Sequence, residues 1–170
     1  MYEGLDANKP NFEFKEDLWA LPTDIDLLES AATALEERLQ MVGWSEEEIY
    51  DIQLGFREAL INAIAHGNLG LTKPEGGDLC QMARIEISKH PEKRNSKHVY
   101  VTIEISKDKV VIHIRDEGNG FKREEVPDPT SEEGLFKEKG RGILIMENYF
   151  DSAVHNKEGN EVTMTKVRKG

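Results

Sequence analysis

The sequence predicts an α+β domain, and three observations predict it. Two stretches, 23–42 and 45–66, carry apolar residues at helical spacing. Two others, VYVTIEIS from Val99 and KVVIHIRD from Lys109, alternate apolar and polar residues around a Lys107-Asp108 turn. A last pair, SAVHNK and EVTMTKV, flanks EGN as a terminal hairpin. At 170 residues, with no internal repeat, the chain is about one domain. The expected organisation is an N-terminal segment, 1–22, with an edge strand, followed by a single domain over 23–170.

Taken in order, Phe12 and Phe14 alternate with charges in NFEFKEDL, the pattern of a short edge strand. Pro22-Thr23 opens the first helix. Thr23 with Asp26 three residues on resembles a capping box, and Leu27, Leu28, Ala31, Leu35 and Leu39 continue the apolar face to about Val42. Gly43 ends that helix. Ser45 caps the next, with Glu46, Glu47 and Glu48 at the positive end of its dipole, and it runs to about His66. From Asn68 to Lys97 the periodicity weakens: LTKPEGGD reads as loop, CQMARIEISK suits a helix or a strand, and HPEKRNSK is a polar connection. After the central hairpin, KREEVPDPTSEEGLFKEK reads as a mobile flap, and GRGILIMENYFD turns from glycine into an apolar helix.

Composition narrows the partners. The chain has 33 acidic and 22 basic side chains, a formal net charge of -11, which repels phosphate backbones and anionic lipid, so neither nucleic acid nor membrane is expected. Any phosphate site must be built locally. The single Cys80 cannot form an internal disulfide, MYEGLDANKP lacks the pattern of a signal peptide, and no apolar run approaches the roughly 20 residues that span a bilayer. A cytoplasmic location is the expectation.

Three places carry chemistry. On the second helix Ile49, Ile52, Phe56, Leu60 and Ala63 share a core face, while Glu58 and Asn62 project from another side among Leu54, Ile61 and Ala65. A solvated face explains polar residues on a helix. Apolar neighbours instead imply partial burial, where a carboxylate and an amide need partners. In VVIHIRDEGNGF, Asp116 continues the inward row Val110, Ile112 and Ile114, and Gly118 and Gly120 admit a ligand close to the backbone. That arrangement suits an exocyclic amine such as adenine's, with an Asx-type turn acceptor as the alternative. Gly140-Arg141-Gly142 opens a helix whose free amides suit phosphate. No third glycine of a dinucleotide fingerprint follows, and no Walker loop occurs.

In this order, Glu58-x-x-x-Asn62, Asp116-x-Gly118-x-Gly120 and Gly140-x-Gly142 resemble the ATP-binding boxes of the histidine-kinase-like (GHKL) ATPase superfamily. REALINAIAHGN, RDEGNGF, VPDPT, KGRGILIME and NEVTM look most like anti-sigma-factor serine/threonine kinases, a resemblance extending from about Asp24 to Val167. It implies a two-layer α/β sandwich of the Bergerat type, with helices on one face of a mixed, mainly antiparallel sheet, and ATP with Mg²⁺ as cofactors. It implies Glu58 as general base, Asn62 as Mg²⁺ ligand, Asp116 as adenine anchor, Gly118 and Gly120 as adenine floor, and Gly140, Arg141 and Gly142 as phosphate binders. His66 matches a position often basic in relatives and facing phosphate; a helix-end residue favoured by the dipole is the alternative.

The function implied is phosphorylation of an anti-sigma-factor antagonist of the STAS type, alternating with restraint of a sigma factor, by a protein that forms a homodimer in relatives. A nucleotide-responsive binding module with little turnover is the rival, and retention of both Glu58 and Asn62 favours the kinase. A histidine-kinase-type ATPase domain acting in trans is a third reading. Against a complete sensor kinase, all five histidines, His66, His90, His98, His113 and His155, lie within the expected ATP fold.

Overall fold

Val99, Val101 and Ile103 are buried while Tyr100, Thr102 and Glu104 are not, and this period of two repeats along the neighbouring strands. A computed structural model of the chain describes residues 12–72, 76–119 and 145–169. Its sheet comprises β1 (Leu18–Pro22), β2 (His98–Ile105), β3 (Lys109–Arg115), β4 (Ser152–His155) and β5 (Glu161–Val167). Their spatial order is β1-β2-β3-β5-β4, and every pairing among the described residues is antiparallel. The inward row is Trp19 and Leu21, then Val99, Val101 and Ile103, then Val110, Ile112 and Ile114, then Val162 and Met164.

Helices cover that face. α1 (Leu28–Val42) and α2 (Glu46–Ile61) form a hairpin over it, burying Leu28, Ala31, Leu35 and Leu39 from the first and Ile49, Ile52, Phe56 and Leu60 from the second. Each such aliphatic or aromatic side chain stabilises the fold by about 1.5–3 kcal/mol relative to exposure. The hairpin turns at Gly43, whose φ of 92° is the left-handed conformation that glycine adopts without penalty. Ser45 caps α2 as expected, accepting from the Glu48 amide at 3.2 Å. The α+β two-layer architecture is therefore the one expected, with the helices on one side.

Several elements differ from the sequence reading. Phe12–Phe14 is not a strand; the edge strand is β1, six residues downstream of Phe12 at Leu18. The reason is Arg38, whose Nη2 donates to the carbonyls of Phe14 at 2.8 Å and Glu16 at 2.9 Å, occupying acceptors that a strand would offer to a neighbour. Phe12, Phe14 and Trp19 stack edge to face on one another, and the Arg38 guanidinium lies 5.1 Å from the Trp19 ring centre. Thr23 is not a helix cap. Asp24 takes that role, accepting from Asp26 N at 3.0 Å ahead of a 3₁₀ turn, Ile25–Leu27, that leads into α1.

CQMARIEISK resolves to helix α3 (Leu79–Lys89), capped by Asp78, and one turn of helix, α4 (Lys93–Ser96), interrupts the polar connection that follows. Ion pairs from Arg84 to Asp26 at 2.7 Å and from Arg94 to Asp24 at 2.8 Å tie this segment to the entry of α1. The segment expected to be a flap lies outside the described residues. Residues 145–149 are helical, and Phe150 just beyond them packs against Gly55, where a Cβ would strike its ring.

Arg38 thus anchors the chain ahead of β1. Replacing it in Arg38→Ala removes its hydrogen bonds to Phe14, Glu16, Asp17 and Ala34 and a ring contact, and should cost about 1–3 kcal/mol of unfolding free energy. Limited proteolysis should then cut within residues 12–17 faster than in the parent, and Arg38→Lys should not restore protection, since one ammonium cannot replace the planar fork.

Candidate functional site

α2 does not end as an ordinary helix. From Asn62 to Asn68 it widens into a π-helical segment: the Leu69 amide reaches back five residues to the Ile64 carbonyl at 3.1 Å, and that of Leu71 reaches back six to Ala65 at 2.9 Å. Such segments concentrate at functional sites because they re-aim side chains. Here Ala59, Asn62, Ala63, His66, Gly67 and Gly70 form one wall of a cleft. The helix, expected to run to about His66, continues in this form to Asn68. Gly67 is not among the residues with positive φ, whereas Gly70 is, at 64°.

Gly67 instead makes room. A Cβ there would collide with the Asp116 carboxylate, and one on Gly118 would collide with the Gly67 carbonyl and approach Asp116 to 3.0 Å. The carboxylate therefore sits between two glycine backbones. Its backbone amide donates to the Asn160 carbonyl at 2.8 Å, and its Oδ1 accepts from the Gly118 amide at 2.8 Å. The Asx-turn geometry and the inward placement expected as alternatives occur together. Asp116 is half-buried and lines the cleft beside Ile114.

Asn68 joins these parts. It is 8% exposed, and its Nδ2 donates to Thr23 Oγ1 at 3.0 Å and to the His98 carbonyl at 3.1 Å. Its Oδ1 accepts from the Glu117 amide at 2.7 Å. Thr23, fully buried, passes its own hydroxyl proton toward the Lys97 carbonyl at 2.6 Å. Glu117 is held a second time: its carboxylate accepts from the His98 amide at 3.2 Å and from the Tyr100 hydroxyl, a hydrogen bond that pushes the Tyr100 pKa up. One amide side chain thus fastens the end of the π segment to the end of β1, the start of β2 and the turn after β3.

The cleft encloses about 220 Å³, below the roughly 300–1,000 Å³ of drug-sized sites, so its described walls suit a compact flat group. Ala63, Ile114, Met146 and Val162 supply apolar surface, and the β4–β5 turn closes one side through Gly159, Asn160 and Glu161. Asp116 and Glu161 are its carboxylates among the described residues, joined by His66 and His155. That set accepts hydrogen bonds from amines and offers little to phosphate.

Of the residues singled out in the sequence, the cleft brings together Asn62, His66 and Asp116, with Gly118 behind Asp116. Glu58 is half-buried in the turn of α2 ahead of Asn62, but is not part of the cleft lining. His66 Nδ1 donates to the Leu71 carbonyl at 2.6 Å, so the neutral ring presents Nε2 as an acceptor and would meet phosphate only when protonated. Gly120, Gly140, Arg141 and Gly142 lie outside the described residues. Sequence reasoning missed Gly67, Asn68 and Thr23 as builders of the site. A signal existed for one of them: an amide following an apolar helix and a glycine must find partners if buried.

Two comparisons bear on this arrangement. Residues 20–166 match the model of the histidine kinase-like ATPase domain, a range that takes in every described helix, all but the outer ends of β1 and β5, and the whole lining of the cleft. No individual curated protein matches the chain.

The contact of Gly67 with Asp116 yields a direct expectation. Gly67→Ala gains helix propensity yet drives a methyl into the carboxylate, and should destabilise the protein by about 1–3 kcal/mol in chemical denaturation. Amide shifts should move at 116–119 and stay fixed along α1.

Proposed function

The chain belongs to the histidine kinase-like ATPase family and carries that family's ATP-binding module, and from this premise we propose that it is a protein serine/threonine kinase. Its acceptor is an anti-sigma-factor antagonist of the STAS type, and it alternates phosphorylation of that antagonist with restraint of a sigma factor. It works as a cytoplasmic homodimer. The observation that carries the kinase reading is Glu58 one turn before Asn62, because binding nucleotide alone requires no base there.

The residues fit a purine nucleotide. A carboxylate beside apolar walls, held in place between two glycine backbones, suits adenine with its exocyclic amine. Asp116 accepts the hydrogen bond of that amine, and the narrow packing of Gly67 and Gly118 fixes the carboxylate. Asn62 offers its side-chain oxygen to Mg²⁺, while Gly140, Arg141 and Gly142 hold phosphate and Gly120 completes the adenine floor. Glu58 takes the proton of an incoming serine hydroxyl. His66, when protonated, adds positive charge near the phosphates. Bound ATP with Mg²⁺ supplies the transferable phosphoryl group and the charge neutralisation on which such transfers depend.

Incubation with labelled ATP, Mg²⁺ and antagonist proteins encoded nearby tests the reading. Label should appear on an antagonist serine, and Glu58→Ala should lower transfer by at least about 100-fold with ATP affinity little changed. Binding without transfer to any antagonist would replace the kinase by a nucleotide-responsive binding module. In the same preparations Asp116→Asn should weaken ATP binding by about 10- to 100-fold, the worth of a hydrogen bond to a charged group.

Mg²⁺ affords a separate check. Among the described residues no cluster of three or more His, Cys, Asp or Glu could hold a metal, and one amide oxygen is a poor site alone. Calorimetry should therefore detect Mg²⁺ binding only with nucleotide present. Tight binding to the nucleotide-free protein would count against Asn62 as the ligand.

A further inference from the structure

Asn68 is not among the residues that line the cleft, yet its buried side chain makes three hydrogen bonds directly behind it. Its three hydrogen bonds reach residue 23, just after β1, residue 98, the first of β2, and residue 117, in the turn after β3. The bond that matters for the cleft is the one from the Glu117 amide at 2.7 Å. Glu117 follows Asp116 directly, so fixing its peptide plane restricts the backbone torsions that orient the Asp116 side chain. Gly67, which precedes Asn68, meets the Asp116 carboxylate from the other side. Two adjacent residues thus define where the carboxylate stands, one by packing and one by hydrogen bonding.

We propose that Asn68 is a positioning residue for base recognition: through the Glu117 amide it holds Asp116 where it reads the 6-amine of the purine. This rests on the nucleotide reading given above. The side chain does not touch the base. It acts by removing freedom from the 116–118 turn, so that the carboxylate need not be ordered when nucleotide arrives. The two Nδ2 bonds orient the amide, since donors to Thr23 Oγ1 and the His98 carbonyl leave Oδ1 facing Glu117. They also link the turn to α4, because the Thr23 amide donates to the Arg94 carbonyl at 2.7 Å.

A structural role alone would lower stability and leave selectivity untouched, so selectivity is the readout. Binding of ATP is compared with binding of purine ribonucleoside triphosphate, which lacks only the 6-amine, at a temperature well below every unfolding transition. The wild type should prefer ATP by about tenfold or more, the worth of one hydrogen bond to a carboxylate. Asn68→Ala should lose most of that preference, whereas Leu35→Ala, a core truncation on α1, should lower the unfolding temperature and keep it. Unchanged preference in Asn68→Ala overturns the inference while leaving the nucleotide reading intact. A wild type that binds neither triphosphate overturns both. Should Asn68→Ala fail to fold, hydrogen exchange of the nucleotide-free wild type decides: the Glu117 amide should be protected like those of β3, and exchange at the rate of an open turn would rule the clasp out.

Discussion

The functional arrangement depends on the close approach of two backbones, at Gly67 and Gly118, around one carboxylate. Neither glycine is needed for left-handed torsion. What matters is the missing Cβ, which lets the end of a helix and the turn after a strand come together with Asp116 between them. The widened turn of the π segment, the row of inward residues on β3 and the β4–β5 turn converge on this point. The acidic surface of the protein makes the arrangement specific in sign. The described ionisable residues of the cleft are two carboxylates and two histidines, a set that suits the amine-bearing end of a ligand better than a phosphate.

Much of this was legible in the sequence, for physical reasons that differ by element. α1 and α2 follow from apolar spacing and from the Gly43 and Ser45 signals, and the hairpins follow from alternation, since each depends on neighbours in the chain. Asp116 was readable because the period of two extends past the end of β3. The errors share a cause. Phe12–Phe14 alternates like a strand, but the carbonyls of Phe14 and Glu16 are taken by Arg38, more than twenty residues away. Thr23 has the composition of a cap, but is drawn into the core by Lys97 and Asn68. The end of α2 looks like a glycine stop, yet Gly67 answers to Asp116. Local pattern cannot report a partner that lies far along the chain.

The same distinction separates the parts of the site. Glu58 and Asn62 stand on a helix whose phase the sequence dictates, so their relation to each other was fixed by four-residue spacing. Their relation to Asp116 was not, because it depends on how α2 meets β3. Asn68 settles that relation in the folded protein, and its identity as a buried, fully engaged amide emerges only from tertiary structure.

The clasp at Asn68 also bears on how the chain assembles. It joins residues separated by 45 and 49 positions, whereas the α1–α2 hairpin and the β2–β3 hairpin close over short loops. Contacts between such distant segments are late to form, because their loop-closure entropy must be met before they contribute. On the proposed roles of Asn68 and Asp116, a partly assembled chain with both hairpins formed but the clasp open would have no defined place for the carboxylate and little affinity for nucleotide. Nucleotide would then bind the finished state alone and shift the folding equilibrium toward it, by about 2.7 kcal/mol when present at a hundred times its dissociation constant. The energy currency of the cell would in this way act on the chain as a folding ligand before it acts as a substrate.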